Sequence, residues 1–318
     1  MERLESGNIK SETPLPSASI LFICGSFFKF EGSISIFRKR LRMKEPVRIL
    51  SDLHLGHRVS RITSIESLRP LISGAATVVF NGDTWQELAL MFRDKSAGML
   101  EELKTLCREE GTEPIFLSGN HDPGWPGAGW LELAGGKILI THGDALFFDG
   151  SPWSREAIAG QDAIRELWSQ HHAAADDAGE RLRLAREIAR YLVPKTFPKG
   201  KKLWQRILEA ICPPQRALKM LHAWLTQADA AVDFADKFFP HAEVIIIGHF
   251  HRSGIWKKRG RVVINSGAYL PPGNALWLDY ENGYLSCGKV IETPDRYTRG
   301  AAIGIWHIGA QPPIKNVL

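Results

Sequence analysis

Val47-Arg48-Ile49-Leu50-Ser51-Asp52-Leu53-His54 is a short, mostly apolar run that ends on a polar turn carrying an acid and an imidazole two residues apart. The arrangement recurs along the chain. Thr77 to Phe80 leads into Asn81-Gly82-Asp83, Pro114 to Leu117 into Gly119-Asn120-His121-Asp122, Ile138 to Ile140 into Thr141-His142-Gly143-Asp144, and Val244 to Ile247 into Gly248-His249-Phe250-His251. Continuous apolar runs of this length suit strands buried on both faces. Between the second and third runs Leu100, Leu103 and Cys107 recur at helical spacing, while Glu101, Glu102 and Lys104 fall on another face. Strand, helix, strand predicts an α/β fold, and in such a sheet the loops at the carboxyl ends of the strands converge on one crevice.

Outward from these runs the pattern changes twice. Beyond Val244 to Ile247, the runs Arg261 to Ile264, Ala275 to Asp279 and Tyr284 to Cys287 are separated by Pro271-Pro272-Gly273-Asn274 and Glu281-Asn282-Gly283. The last two runs predict a hairpin that closes a second sheet. Between Asp149 and Pro240, the sets Ala185, Ile188, Ala189, Leu192 and Leu218, Leu221, His222, Leu225 repeat at helical spacing, which predicts an inserted helical lobe over about 150–240. Within it, Pro194 to Trp204 mixes cations, aromatics and helix breakers; a solvated basic connector is the simplest expectation, and a lipid contact the alternative. The domain is expected over 46–292. Residues 1–45 read as a disordered extension, or as lying upstream of a start at Met43, and residues 293–318 read as a tail.

Composition sets outer bounds. A chain of 318 residues with 44% hydrophobic and 24% charged residues can bury a full core, and a formal charge of +5 suits an anionic substrate or a lipid surface. The four cysteines, Cys24, Cys107, Cys212 and Cys287, form no CxxC pair, so neither a disulfide framework nor a thiolate metal site is indicated and a cytoplasmic home is expected. No stretch reaches the roughly 20 apolar residues of a spanning helix. The run Ile20 to Phe28 has the length of a signal-peptide core, but the acids Glu2, Glu5 and Glu12 precede it, which argues against export.

The polar turns hold the chemistry. If the chain is extended at Asp52-Leu53-His54 and His249-Phe250-His251, residues two apart point the same way, so each pair grips one cluster while Leu53 and Phe250 face the core. Gly82, Gly119, Gly143 and Gly248 beside these donors suit tight turns or close backbone approach. Carboxylate, amide and imidazole donors without thiolate favour manganese, iron, zinc or magnesium over soft metals. Any one of these turns alone is an ordinary polar loop; five in order, each after a strand, are a site.

The set Asp52-x-His54, Gly82-Asp83, Gly119-Asn120-His121-Asp122, His142-Gly143 and Gly248-His249-x-His251 resembles the signature of the calcineurin-like metallophosphoesterases, over about Val47 to Gly267. That resemblance implies a four-layer α-β-β-α sandwich of two mixed sheets. It implies two divalent or trivalent ions, manganese first and iron, zinc or magnesium as alternatives, one held by Asp52, His54, Asp83 and His251, the other by Asp83, Asn120, His142 and His249. Two cations roughly 3.5 to 4 Å apart lower the pKa of a bridging water and clamp an in-line displacement at phosphorus. His121, between a ligand and a carboxylate, is expected to act as an imidazolium on the phosphoryl and departing oxygens, with Asp122 orienting its ring.

Two details resemble the bacterial UDP-2,3-diacylglucosamine pyrophosphohydrolase group in particular: the helical insertion after His142-Gly143-Asp144, and Arg252 directly after His251, which in that light is a substrate-binding residue. The resemblance implies a nucleotide-sugar or lipid-linked phosphate substrate, with the Lys201 and Trp204 region as a lipid-facing edge and a peripheral position at the inner face of the membrane. His121 departs from that group, which typically has arginine there, and leans toward esters with poor leaving groups. A nuclease using the same metals is the alternative enzyme, for which the basic balance is mild support. A non-catalytic scaffold is the third, against which all seven donor positions hold competent residues.

Overall fold

In the computed structural model, which describes residues 43–193 and 214–309, the apolar runs are strands, and full burial is what makes them so. Val47–Leu50 (β1) and Thr77–Asn81 (β2) are buried at every position and pair in parallel, Val47 opposite Thr77 and Leu50 opposite Phe80. Glu113–Leu117 (β3) continues the parallel order as an edge strand, buried only at Leu117. Arg69–Ile72 (α1) lies between β1 and β2. Leu90–Glu109 (α2) links β2 to β3 and buries Met99, Leu100, Leu103, Leu106 and Cys107.

The C-terminal hairpin goes to this sheet, not to a second one. Leu276–Glu281 (β9) runs antiparallel to β1, Val47 opposite Tyr280, and Tyr284–Glu292 (β10) follows it through a turn in which Asn282 and Gly283 both take positive φ, 51° and 79°. Two consecutive left-handed residues give the turn whose twist matches paired strands. Tyr297–His307 (β11), in the stretch read as a tail, pairs with β10 and completes the order β11-β10-β9-β1-β2-β3. Its small and glycine residues, largely half-buried or exposed, leave no apolar alternation to read.

The second sheet has the order β4-β5-β6-β8-β7. Ile138–Thr141 (β5), Val244–Ile247 (β6) and Arg261–Asn265 (β8) are parallel, flanked by antiparallel Trp130–Leu133 (β4) and Gly254–Lys258 (β7). Alternation decides what each strand residue touches. Val47, Ile49, Val79 and Leu278 face Ile138, Ile140, Val244, Ile246 and Ile264 in a core between the sheets. Leu50, Val78 and Phe80 turn outward to pack with α2, and Leu139, Ile245, Ile247 and Val263 turn outward to the helices of the insertion. The result is a four-layer α/β sandwich of two mixed sheets.

Among the described residues the insertion contains the helices Arg155–Ala159 (α3), Gln161–Gln170 (α4), Ala178–Tyr191 (α5) and Pro214–Phe238 (α6). On α5 the expected face holds, with Ala185, Ile188 and Ala189 buried. On α6 it does not. Leu218, Leu221 and Leu225 are 64%, 49% and 64% exposed, and the buried face is Ala223, Gln227, Ala228, Ala231, Val232, Phe234 and Ala235. Small side chains bring the helix backbone close to the second sheet, which the leucines would hold off. Residues 1–42 of the expected 1–45 extension, the Lys201 and Trp204 region, Cys24 and Cys212 lie outside the described residues; Cys107 and Cys287 are buried and unbridged. Among the described residues no helix is long and apolar enough to cross a membrane.

Within β1, Arg48 points toward the helix layer, where it is 1% exposed. It makes a two-pronged ion pair with Asp279 of β9, at 2.7 and 2.8 Å, and donates to the carbonyls of Leu71 and Ser73 that end α1. A buried guanidinium is tolerable only while it stays paired. Asp279→Ala is therefore expected to lower the free energy of unfolding by about 3 to 5 kcal/mol, measured by urea denaturation; a loss under about 1 kcal/mol, the scale of an exposed pair, would contradict this role for Arg48.

Candidate metal centre

β1, β2, β5 and β6 deliver their donor turns to the same end of the sandwich, and the backbone binds the turns to each other. The parallel ladder of β1 and β2 runs on past the strands, through Asp52 N to Gly82 O at 3.1 Å, His54 N to Asp83 O at 2.9 Å and Leu55 N to Thr84 O at 2.9 Å. Asn81 Nδ2 donates to Thr141 O and Gly248 N to His142 O, which ties in the turns after β5 and β6. Leu53 and Phe250 are buried in the two outer cores, as the spacing required.

The donors do not converge by lying on extended chain. Asp52, His54, Asp83, His249 and His251 all take positive φ, from 47° to 65°. Each such residue costs about 1 to 2 kcal/mol relative to right-handed backbone, and Asp and His are among the residue types that bear it best. Left-handed backbone turns the chain sharply at each donor. Packing leaves no room beside them: a Cβ on Gly119 would meet the backbone nitrogen of Asp83 at 2.5 Å, and one on Gly248 would run into Asp52 and Ser51.

Two groups of donors result, and they share Asp83. Asp52, His54, Asp83 and His251 form the first, with His251 Nε2 3.3 Å from Asp52 Oδ1 and His54 Nε2 3.6 Å from Asp83 Oδ2. Asp83, His142 and His249 form the second, His142 Nε2 lying 3.4 Å from Asp83 Oδ1. Asn120 Oδ1 joins it, 3.3 Å from His142 Nε2 and 2.7 Å from His249 Nδ1. Two rings are fixed from behind by carbonyls: Asn81 O holds His142 Nδ1 at 2.9 Å and Gly150 O holds His249 Nε2 at 3.2 Å. A carbonyl can only accept, so each ring turns an unprotonated nitrogen toward the shared carboxylate when neutral.

The electrostatics are those of a cation site. Burial works against charge on Asp83, but the imidazoles of His142, His121 and His54 outweigh it and hold the carboxyl well below its ordinary range; burial opposes charge on Asp52 as well, and there His142, His251 and His54 outweigh it and hold the carboxyl low too. Burial also opposes charge on His142, and there the Asp83 and Asp52 carboxylates win and raise it well above the ordinary value. His249 goes the other way, lowered to about 3 by burial and by His142. His57, beside His54, is likewise lowered to about 3, by burial first. His121 is lowered to about 4, by desolvation above all and then by His54, His251 and His142 against the pull of Asp83. In the chain itself His121 is therefore a neutral ring near pH 7, not the imidazolium expected from its place in the sequence.

Nor does Asp122 orient it. The Asp122 carboxylate accepts from the backbone nitrogens of Asp83, Thr84 and Gly119 at 2.8 to 3.0 Å and from Trp125 Nε1 at 3.1 Å, so it binds the turn after β2 to the turn after β3. The residue that meets the His121 ring is Gln86, whose Oε1 is 2.9 Å from His121 Nδ1. Sequence reasoning passed over Gln86 because an amide neither titrates nor stands in a donor turn; its position three residues after Asp83 was the available signal. Arg252 places its guanidinium 5.6 Å above the Trp224 ring and is not among the residues that line the cleft.

That cleft, of about 370 Å³, opens over the donors. Asp83, Asn120, His121, His249 and His251 form its polar floor. Ala185, Ile188 and Ala189 of α5, with Leu192 just past its end, form one apolar wall, and Leu88, Ala89 and Phe92 add further apolar lining. Arg155 and Arg216 also border it.

No protein-family model matches the chain, and no curated protein matches it in sequence. Among solved structures the chain is similar to a dimetal phosphatase from Danio rerio, at 13% identity over 83% of this chain and 100% of that one with a TM-score of 0.41. It is similar to YfcE, a phosphoesterase from E. coli, at 14% identity over 83% of this chain and 100% of that one with a TM-score of 0.38. It is also similar to Vps29 from Chaetomium thermophilum, at 9% identity over 85% of this chain and 99% of that one with a TM-score of 0.40.

Proposed function

We propose that the chain is a metal-dependent phosphoester hydrolase of the calcineurin-like kind with a dinuclear centre. The observation that carries this is Asp83, a buried carboxylate with one oxygen turned to each donor group. The donor chemistry fits cations: among the described residues, every ion pair of Asp52 and Asp83 is with a histidine, never with Lys or Arg. Buried carboxylates without a fixed cation are costly, and an ion supplies the missing charge. Asp52, His54, Asp83 and His251 would hold one ion and Asp83, Asn120, His142 and His249 the other; oxygen and nitrogen donors suit manganese, with iron, zinc and magnesium as alternatives. When bound, such ions supply Lewis acidity at phosphorus and a water that deprotonates near neutral pH.

The chain's own residues do the rest. His121 faces the same floor, its Nε2 3.9 Å from Asp83 Oδ2, and places a ring nitrogen where charge develops on a phosphoryl or departing oxygen. The apolar wall of α5 excludes water from one side of the cleft and accepts a hydrocarbon group, while Arg155 and Arg216 suit a further anionic group. A phosphoester bearing an apolar moiety, such as a lipid-linked or nucleotide-sugar lipid phosphate, matches this lining better than a polynucleotide.

A panel of manganese-loaded reactions tests the reading: UDP-diacylglucosamine, long-chain and short alkyl phosphoesters, bis-p-nitrophenyl phosphate and single-stranded DNA. Hydrolysis that EDTA abolishes and that favours the apolar esters is expected. Metal-independent turnover, or none on any substrate, would defeat the proposal, and preference for DNA would move it to the nuclease alternative. In the same assay His121→Ala is expected to lower kcat about 100-fold or more, the scale of losing one aimed donor, and to hurt alkyl esters more than p-nitrophenyl esters. Equal losses would remove His121 from the departing oxygen.

The pH dependence of stability tests the centre without substrate. The folded pKa values of His57, His121 and His249 lie below the unfolded value of about 6.5, so below that pH the unfolded chain takes up protons the folded one refuses, and stability falls with pH. His142 is raised, so its contribution is complete below about 6.5 and is lost as pH rises beyond it. Thermal unfolding in EDTA should therefore give a maximum near pH 6.5, with Tm already declining by about pH 8. Manganese, which requires His142 unprotonated, should reduce that alkaline decline and leave the share due to Asp122, whose carboxyl burial and Asp83 push up to about 8. A Tm in EDTA that climbs steadily to about pH 8, unchanged by manganese, would contradict the assignment of these donors.

A further inference from the structure

Gln86 is 0% exposed and lies between two rings: its Nε2 is 3.0 Å from His54 Nδ1, and its Oε1 is 2.9 Å from His121 Nδ1. The rings themselves meet edge to face, centroids 4.7 Å apart. His54 is a donor of the first group and His121 faces the cleft floor. The amide is thus a direct covalent bridge between hydrogen bonds to a metal donor and to a substrate-facing ring. Its two ends differ in kind, since the oxygen only accepts and the nitrogen only donates.

In the arrangement described, the network closes without an ion. Gln86 Nε2 donates to His54 Nδ1, so the His54 proton is on Nε2, which is 3.1 Å from His251 Nε2 and donates to it. Gln86 Oε1 accepts from His121 Nδ1–H, which leaves a lone pair on His121 Nε2. Ligation through His54 Nε2 is incompatible with that pattern, because a ligating nitrogen carries no proton. The His54 proton must then sit on Nδ1, where it needs an acceptor. Turning the Gln86 amide over exchanges oxygen for nitrogen in nearly the same volume. It offers that acceptor and puts the NH2 against His121 Nδ1.

We propose that Gln86 is a positioning residue that transmits occupancy of the first donor group to His121, setting its proton on Nε2, facing the cleft floor, only when His54 is ligated. The proposal rests on the metal-binding reading above and goes beyond it: the ring becomes a hydrogen-bond donor toward substrate when the centre is loaded and an acceptor when it is not. No proton leaves the chain at His121; one ring proton changes nitrogen as the amide reverses. The cation's direct field acts in the opposite sense, favouring a lone pair on His121 Nε2, so Nε2–H in the loaded protein is a signature of the amide alone.

Nitrogen NMR on the full chain with isotope-labelled histidine, at about pH 7.5 where an imidazole is largely neutral, reads ring tautomers directly. Spectra in EDTA and with zinc are compared, zinc uptake is followed by calorimetry, and His121→Asn identifies the His121 signals. Expected are His54 Nε2–H and His121 Nδ1–H in EDTA, and exchange of both with zinc. Zinc uptake and ligation of His54 with His121 unchanged would overturn the proposal and leave the metal centre standing. No zinc uptake would overturn both. Gln86→Met, close in size and without the amide, should keep zinc uptake and lose the exchange at His121; persistence of the exchange in that variant would overturn the proposal, and the wild-type spectra decide the matter if the variant does not fold.

Discussion

Asp52 and Asp83 are two fully buried carboxylates held side by side where the two sheets end, with imidazoles as the charged partners in their ion pairs. Each costs several kcal/mol to desolvate. Elsewhere the chain meets such a cost with arginine, as Arg48 meets Asp279 in the layer between β1 and α1. At the sheet ends it supplies imidazoles instead, which unlike a guanidinium can give up their protons and leave the negative charge for a cation to balance. That choice dictates the rest: the donor turns must be close, dry and fixed, and every device around them serves one of those conditions.

Closeness is obtained from backbone that is individually unfavourable. Five left-handed non-glycine donors together cost on the order of 5 to 10 kcal/mol, comparable with the whole stability of a domain. They persist because both ends of each turn are anchored. Fully buried strands enter them, and the continued β1 and β2 ladder, the Asp122 carboxylate and the Asn81 and His142 bonds lock them to each other. Asp122 is therefore as much a part of the centre as the donors, although its carboxylate is engaged by N–H groups of the turns behind them.

Much of this was legible in the residues because burial on both faces writes itself as a continuous apolar run. Val47 to Leu50, Thr77 to Phe80, Ile138 to Ile140 and Val244 to Ile247 are central strands, and the donors follow where a strand must end. Elements with one poor face were harder to read. Trp130–Leu133 and Gly254–Lys258 are short edge strands, and Tyr297–His307 is mostly exposed, so none has a pattern distinct from loop. On Pro214–Phe238 two faces share helical spacing, and the leucine face loses to the alanine face because contact with a sheet rewards small side chains rather than large ones. The conformation of the donors was not readable at all: spacing of two is the same in extended and left-handed chain, and only the packed turns decide between them. Gln86 is a case of a different kind, since its importance lies wholly in what stands on either side of it.

Anomalous diffraction from crystals of the full chain grown with manganese measures the central claim most directly. The account predicts two manganese peaks on either side of Asp83, one among Asp52, His54 and His251 and the other among Asn120, His142 and His249. Density with no manganese within bonding distance of the Asp83 carboxylate, in crystals that carry the ion elsewhere, would contradict it.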